Sequence, residues 1–275
     1  MSEIRTVVQR ELRKNFRSVK GIALLVLTLL GGSSIALLIA KYNEFKRQEL
    51  GEISPEQLRA LREKALERFY DADTARVLAD APEVLLALLN LTVWLTPMLV
   101  ALMGFDSIAP DIQHKSVRYW TLRTRRWSYF VGKWFGLWAT VSAVTLTMDA
   151  IIWGVCIFRG EATAATTLGW GVRFWVISLP MSAAWCGIAT LISSLFRSPI
   201  IALLVTFASF FTLWVLYGIS AFAGWEPLLY VYPNHYDHLL LDPRVHRLGI
   251  GLGATLAMAA LYVSAGSVLF TRRDV

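Results

Sequence analysis

Side chains able to do chemistry are sparse in this 275-residue chain and fall into three groups. The first is a lone carboxylate, Asp149, in the middle of a long apolar run, where an acid is expensive and normally turns toward a cavity or a partner. Thr140, Ser142, Thr145 and Thr147 on the same run offer a competing account, in which the carboxyl is neutral or hydrogen-bonded to a nearby hydroxyl. The second group is His235 and His238 with Asp237 and Asp242, whose imidazoles and carboxylates suit zinc or copper. With no cysteine among them, they are expected to form a plain interfacial loop and no metal site. The third group is charge beside apolar runs: Glu11, Asp106 and Asp111, and the basic cluster Arg123, Arg125 and Arg126.

None of these makes an enzyme signature. H-E-x-x-H, G-x-S-x-G and paired acids within one apolar run are all missing, which leaves an intramembrane enzyme as a poorly supported alternative. The phosphate-cradling G-x-x-x-x-G-K-S/T loop is missing too. Gly249, Gly251 and Gly253 lack the lysine and are expected to allow close helix packing. If ATP powers this protein, another chain must bind it with its Mg²⁺, and no cofactor is expected on this one.

The elements that position these groups follow from hydropathy. The chain is 56% hydrophobic and 17% charged, against roughly a quarter charged in soluble domains. Its apolar residues gather into runs near the 20 residues that a helix needs to cross about 30 Å of hydrocarbon. Six such runs are expected to be spans: 21–40, 84–105, 134–158, 174–196, 199–223 and 248–270. Continuous runs of this length do not fit outer-membrane strands. The first is too long for a cleaved signal and is expected to be retained. Cys156 and Cys186 lie within spans, so no disulfide is expected.

Charge orients the spans. One side collects 15 basic and 5 acidic residues, a net +10, in short clusters next to the spans; the other is near balance at −2. The positive-inside rule therefore places both termini in the cytoplasm. The overall +7 reads as contact with anionic lipid, with no nucleic acid implied. Residues 1–20 carry apolar positions at Ile4, Val7, Val8, Leu12, Phe16 and Val19, the spacing of an amphipathic helix along the inner leaflet. Residues 41–83 form an extracytoplasmic insertion, with Ser54-Pro55-Glu56-Gln57 as a helix start and Leu58, Leu61, Ala65, Leu66 and Phe69 on one face. That face could meet lipid, the spans, a second protomer or an extracytoplasmic partner. Residues 106–133 form the most distinctive connection, acid-led and then basic, with Tyr119 and Trp120 interleaved.

With these segments in order, the chain resembles the ABC-2 permease family. Gln9-Arg10-Glu11-Leu12-Arg13 is similar to the family's basic-Glu-Leu lead-in helix. Phe105 through Asp111 to Gly132-Lys133 is similar to its acid-led segment ending in Gly-Lys before the third span. Tyr232-Pro233-Asn234-His235-Tyr236 and Phe270-Thr271-Arg272-Arg273-Asp274 look like its stretch before the last span and its terminal motif. Asp111 stands where Glu is common, and Arg123 where a proline often precedes the arginines. The resemblance implies an all-α membrane domain over 1–275, a permease dimer in the bacterial cytoplasmic (inner) membrane, and two cytoplasmic ABC ATPase subunits. Glu11, Asp106, Asp111, Arg123, Arg125 and Arg126 would then couple to the ATPase, and Asp149 is a candidate for the substrate path. A scaffold or force-transmitting subunit that uses the same ATP cycle without moving a solute is the alternative.

Overall fold

The structure is a computed structural model that describes residues 2–50 and 55–272. Ser54 of the expected helix start, and Arg273 and Asp274 of the terminal motif, lie outside the described residues. Every regular element described is helical. In chain order these are α1 (Ser2–Arg17), α2 (Val19–Leu50), α3 (Pro55–Leu66), α4 (Ala72–Leu78), α5 (Glu83–Gly104), α6 (Ala109–Gln113) and α7 (Val117–Arg123). There follow α8 (Arg126–Phe158), α9 (Ala164–Leu195), α10 (Pro199–Ala223), α11 (Glu226–Leu229), α12 (Asp237–Leu241) and α13 (Val245–Arg272), with a 3₁₀ turn at Pro233–Tyr236 before α12.

Five helices, α5, α8, α9, α10 and α13, are long and apolar enough to cross a membrane, and the pair α1–α2, bent by 66°, supplies a sixth. The protein is an all-α, multi-pass membrane protein. The bend has a local cause. Ser18 Oγ donates to Asn15 O and accepts from Gly21 N, and a side chain at Gly21 would collide with the Asn15 carbonyl. Glycine is the residue that lets the chain turn there.

α9 is the most enclosed span, while α10 turns most of its surface outward. Ser182, Ala183, Ala184, Gly187 and Ala189 keep one stretch of α9 slim, and α13 lies close against it, with Tyr262 and Ala259 next to Gly187. Helix boundaries run past the apolar blocks: α2 continues to Leu50, α8 begins at Arg126 and α9 at Ala164, whereas α10 occupies its apolar block from end to end. A helix crossing into water keeps its backbone bonds whether or not its side chains are apolar, so hydropathy marks the membrane crossing and not the helix end.

The expected interfacial loop between α10 and α13 is tied into the bundle: Tyr232, Asn234, Tyr236, Leu240 and Leu241 are buried, and Tyr232 packs edge-on against Trp185. Enclosure by protein lets this short 3₁₀ and helical segment satisfy its backbone without a full span. Here it also repairs a defect. Pro97, inside α5, has no N–H for the Val93 carbonyl. Asn234 Nδ2 donates to that carbonyl at 2.9 Å, and Asn234 Oδ1 accepts from Trp185 Nε1 at 2.8 Å.

The expected insertion helix is present as α3, but Leu61 and Phe69 remain exposed. α4, with Thr74, Ala75 and Leu78 buried, closes that end of the bundle.

Candidate functional site

The site at the N-terminal end is built on a groove. Gly132 and Gly136 fall one turn apart on α8, and a Cβ on either would come within 2.7 Å of Val7 and Glu11 respectively. The missing side chains let α1 lie directly on α8, which buries Val7 and Glu11. Between the two glycines stands Lys133, with a side chain 1% exposed.

A buried ammonium needs anions, and two elements provide them. Lys133 Nζ lies 2.5 Å from Asp111 Oδ2 of α6 and 2.7 Å from Glu11 Oε1 of α1. The Glu11 contact is an ion pair off the line of a hydrogen bond, since Oε1 has no aligned donor. Asp111 is further held by Tyr129 Oη, donating to Oδ2 at 2.5 Å, and Ser116 Oγ, donating to Oδ1 at 2.9 Å. One lysine thus ties together α1, the connection after α5, and α8.

Two further ties hold that connection. Lys20 Nζ, at the start of α2, lies 2.5 Å from Asp106 Oδ1 and donates to Met103 O at 3.3 Å. From α9, Ser193 Oγ accepts from the Ile108 and Ala109 amides at 3.0 and 3.1 Å and donates to Phe105 O at 2.8 Å. This satisfies backbone groups at the start of α6 that no side chain of the connection itself reaches. An aromatic column stands beside the lysine. The Arg10 guanidinium lies 4.1 Å above the Trp120 ring, Trp120 adjoins Tyr129, and Tyr129 stacks on Phe270 of α13 at 5.8 Å.

The sequence-predicted residues separate into two sets. Glu11, Asp106 and Asp111 point inward onto Lys133 and Lys20. Arg123 and Arg125 are exposed, alongside Tyr119 and Leu122, which are 76% and 83% exposed. Arg126 is half-buried and donates to Thr271 O at 2.9 Å. Lys133, Lys20 and Ser193 were not singled out as site residues by the sequence. A lysine flanked by glycines at the mouth of an apolar run was the available signal for the first, because a cation at that depth needs a partner.

Asp149 is elsewhere. It faces a small cavity between α5, α8 and α9, bordered by Thr92, Trp153, Gly171 and Phe174. Each of the four hydroxyls on its own helix bonds a backbone carbonyl of that helix. A separate apolar groove of ≈ 250 Å³, bordered by Leu24, Leu27, Leu95 and Leu99 with Thr28 and Thr96, opens between α2 and α5. In the α10–α13 segment the His235 and His238 rings lie 5.1 Å apart. Among the described residues no three His, Cys, Asp or Glu side chains gather as a metal group.

Fold and site together define a multi-pass helical membrane protein with an interlocked set of short helices at one end. A family model described as an ABC-2 family transporter protein matches residues 5–248, from α1 to the first turn of α13. The chain belongs to that family and is a membrane permease component of an ABC transporter. Comparison with individual curated proteins returns no match.

Proposed function

We propose that this chain forms a permease dimer in the bacterial cytoplasmic membrane and exports a substrate using ATP hydrolysed by two cytoplasmic ABC ATPase subunits. Permeases of this family typically work with such an ATPase. The observation that carries the proposal is the Lys133 knot beside an exposed basic and apolar patch. Tyr119, Leu122 and Arg123 on α7, with Arg125 just beyond it, offer a partner a surface. Asp111 and Glu11 sit behind that surface, both on Lys133. In this scheme the exposed residues bind the ATPase, and the two acids on Lys133, Glu11 buried and Asp111 partly so, keep α6, α1 and α8 moving as one body. The +10 charge of this end supports a cytoplasmic placement for it and for both termini.

The test separates the two roles. Leu122→Asp with Arg123→Glu, in surface positions, is expected to abolish co-purification of the ATPase while leaving the thermal transition of the permease within about 2 °C of wild type, as surface substitutions usually do. Retention of the ATPase at wild-type yield would overturn the proposed surface. The α2–α5 groove, with hydroxyls as its sparse polar groups, suits an apolar cargo such as a lipid. Its apolar lining equally supports the force-transmitting alternative. Vesicles reconstituted with the complex decide between them, since ATP-dependent movement of labelled lipid is expected only of an exporter.

A further inference from the structure

Three polar atoms inside the bundle border one cavity and make no well-aligned hydrogen bond among the described residues: Asp149 Oδ1, Trp153 Nε1 and Thr92 Oγ1, whose hydroxyl stands beside the Asp149 carboxyl. All three residues are more than nine-tenths buried. The other walls, Leu88, Leu89, Gly171 and Phe174, are apolar. The cavity leaves ≈ 10 Å³ in which the centre of a water molecule can move, which is room for about one.

The indole is held there by a glycine. A Cβ at Gly171 would lie 2.4 Å from Trp153 Cε2 and 2.5 Å from Nε1, so any larger residue would push the ring out of place. Two helices therefore contribute polar groups, and a third shapes the space for them.

We propose that Asp149, Thr92 and Trp153 form a closed site that holds one proton, on the Asp149 carboxyl, and one water molecule. The donor set selects this ligand. Indole N–H donates and cannot accept, which leaves at most three side-chain oxygens, two from Asp149 and one from Thr92, for a bare metal ion, well short of the six or more ligands that calcium takes or the octahedral shell that magnesium demands. Water fits all three groups, accepting from Trp153 Nε1 and donating to Asp149 Oδ1 and Thr92 Oγ1. The proton follows from the surroundings. Neither the apolar walls from α5 and α9 nor Met148, Ile152 and Trp153 on α8 itself bring a charged group to the carboxyl. The nearest cation along α9, Arg173, lies over the Trp170 ring at 5.1 Å. An ionised carboxylate enclosed without a cation is far more costly than the neutral acid.

Thr92 also borders the α2–α5 groove. A shift of α5 toward that groove would join the two spaces, hydrate the carboxyl and release the proton. The site thus makes one conformational step of the bundle proton-linked, whatever the chain transports.

Infrared spectroscopy of the full-length protein in lipid nanodiscs tests this. At pH 8, where exposed carboxyls are ionised, wild type is expected to retain a protonated-carboxyl C=O band that falls to baseline in Asp149→Asn. An O–H stretch that shifts in H₂¹⁸O is expected in wild type and absent from Trp153→Phe. Should Asp149→Asn fail to fold, Trp153→Phe must still shift the carboxyl band, because it deletes a donor to the water. A wild-type spectrum with no protonated-carboxyl band at pH 8, or a band unaffected by both substitutions, would overturn the proton site. A carboxyl band without the ¹⁸O-sensitive stretch would overturn the water.

Discussion

The two ends of the bundle use the same ion-pair chemistry in opposite settings. At the N-terminal end, Lys133 and its acids are enclosed, and three elements depend on one ammonium group. At the far end, Arg59–Asp80 and Arg76–Glu63 lie partly in solvent and join α3 to α4 and the turn after it, while Arg244 and Arg247 reach both the exposed Asp73 and Asp71 and the buried Asp242. An enclosed pair is costly to assemble and costly to break, whereas exposed pairs are screened and replaceable. One end is therefore committed to a single arrangement, whereas α3 and α4 at the other are fastened by ties that can be lost singly.

The sharpest way to break that contrast is Lys133→Met, which leaves Glu11 and Asp111 facing one another without their cation. A destabilisation of about 3–5 kcal/mol is expected, seen as loss of monodisperse protein on size exclusion. Adding Glu11→Gln and Asp111→Asn should recover much of it. No recovery would mean that shape, not charge, makes the knot. Asn234→Leu comes next. It strands the Trp185 donor and the Val93 carbonyl in the interior, at about 1–3 kcal/mol, and its thermal transition should fall while Asn234→Gln lies between.

Gly136→Ala forces a methyl to within 2.7 Å of Glu11 Cβ. It should cost about 1–3 kcal/mol as overpacking, with faster proteolysis within α1 as the specific readout. At the far end, Arg59→Ala, at a pair about half exposed on both sides, should change stability by no more than about 1 kcal/mol, and the change should shrink as salt is raised. An effect as large as that of Lys133→Met would erase the distinction between the ends.

The smallest effect expected is one of pH. Burial, reinforced by neighbouring His238, holds the His235 imidazole below its ordinary value. The folded state then favours neutral His235. Its contribution is complete above the unfolded value of 6.5 and is lost as pH falls through the lower folded value. Amide exchange across 230–241, corrected for intrinsic rates, should rise on acidification in wild type and rise less in His235→Gln.

Much of this architecture is legible in the residues. Apolar runs locate every span, and the run at 199–223 coincides with α10 because Pro199 starts the helix and Gly224 ends it in a left-handed conformation. The inner ties are harder to see. Lys133 counts as one more orienting charge until Gly132 and Gly136 are known to admit α1. Ser193 looks like any serine in a span, because its partners are amides 84 and 85 residues away. Thr92 could not be matched to Asp149 in advance, since the nearer hydroxyls all had carbonyls of their own to bond. Asn234 had a signal in the sequence: a proline inside α5 leaves a carbonyl for something to satisfy.

Phe270 bears on how the protein is made. α1 can settle into the glycine groove as soon as α8 has left the ribosome, yet the ring that stacks on Tyr129 and packs beside Phe130 is synthesised more than a hundred residues later. Gly266 leaves the hollow for Phe130 that lets α13 draw in. α13 thus completes the packing at the start of α8 long after α1 has been made, and nascent chains halted before α13 would leave the Tyr129 and Phe130 rings uncovered, a ready mark for membrane quality control.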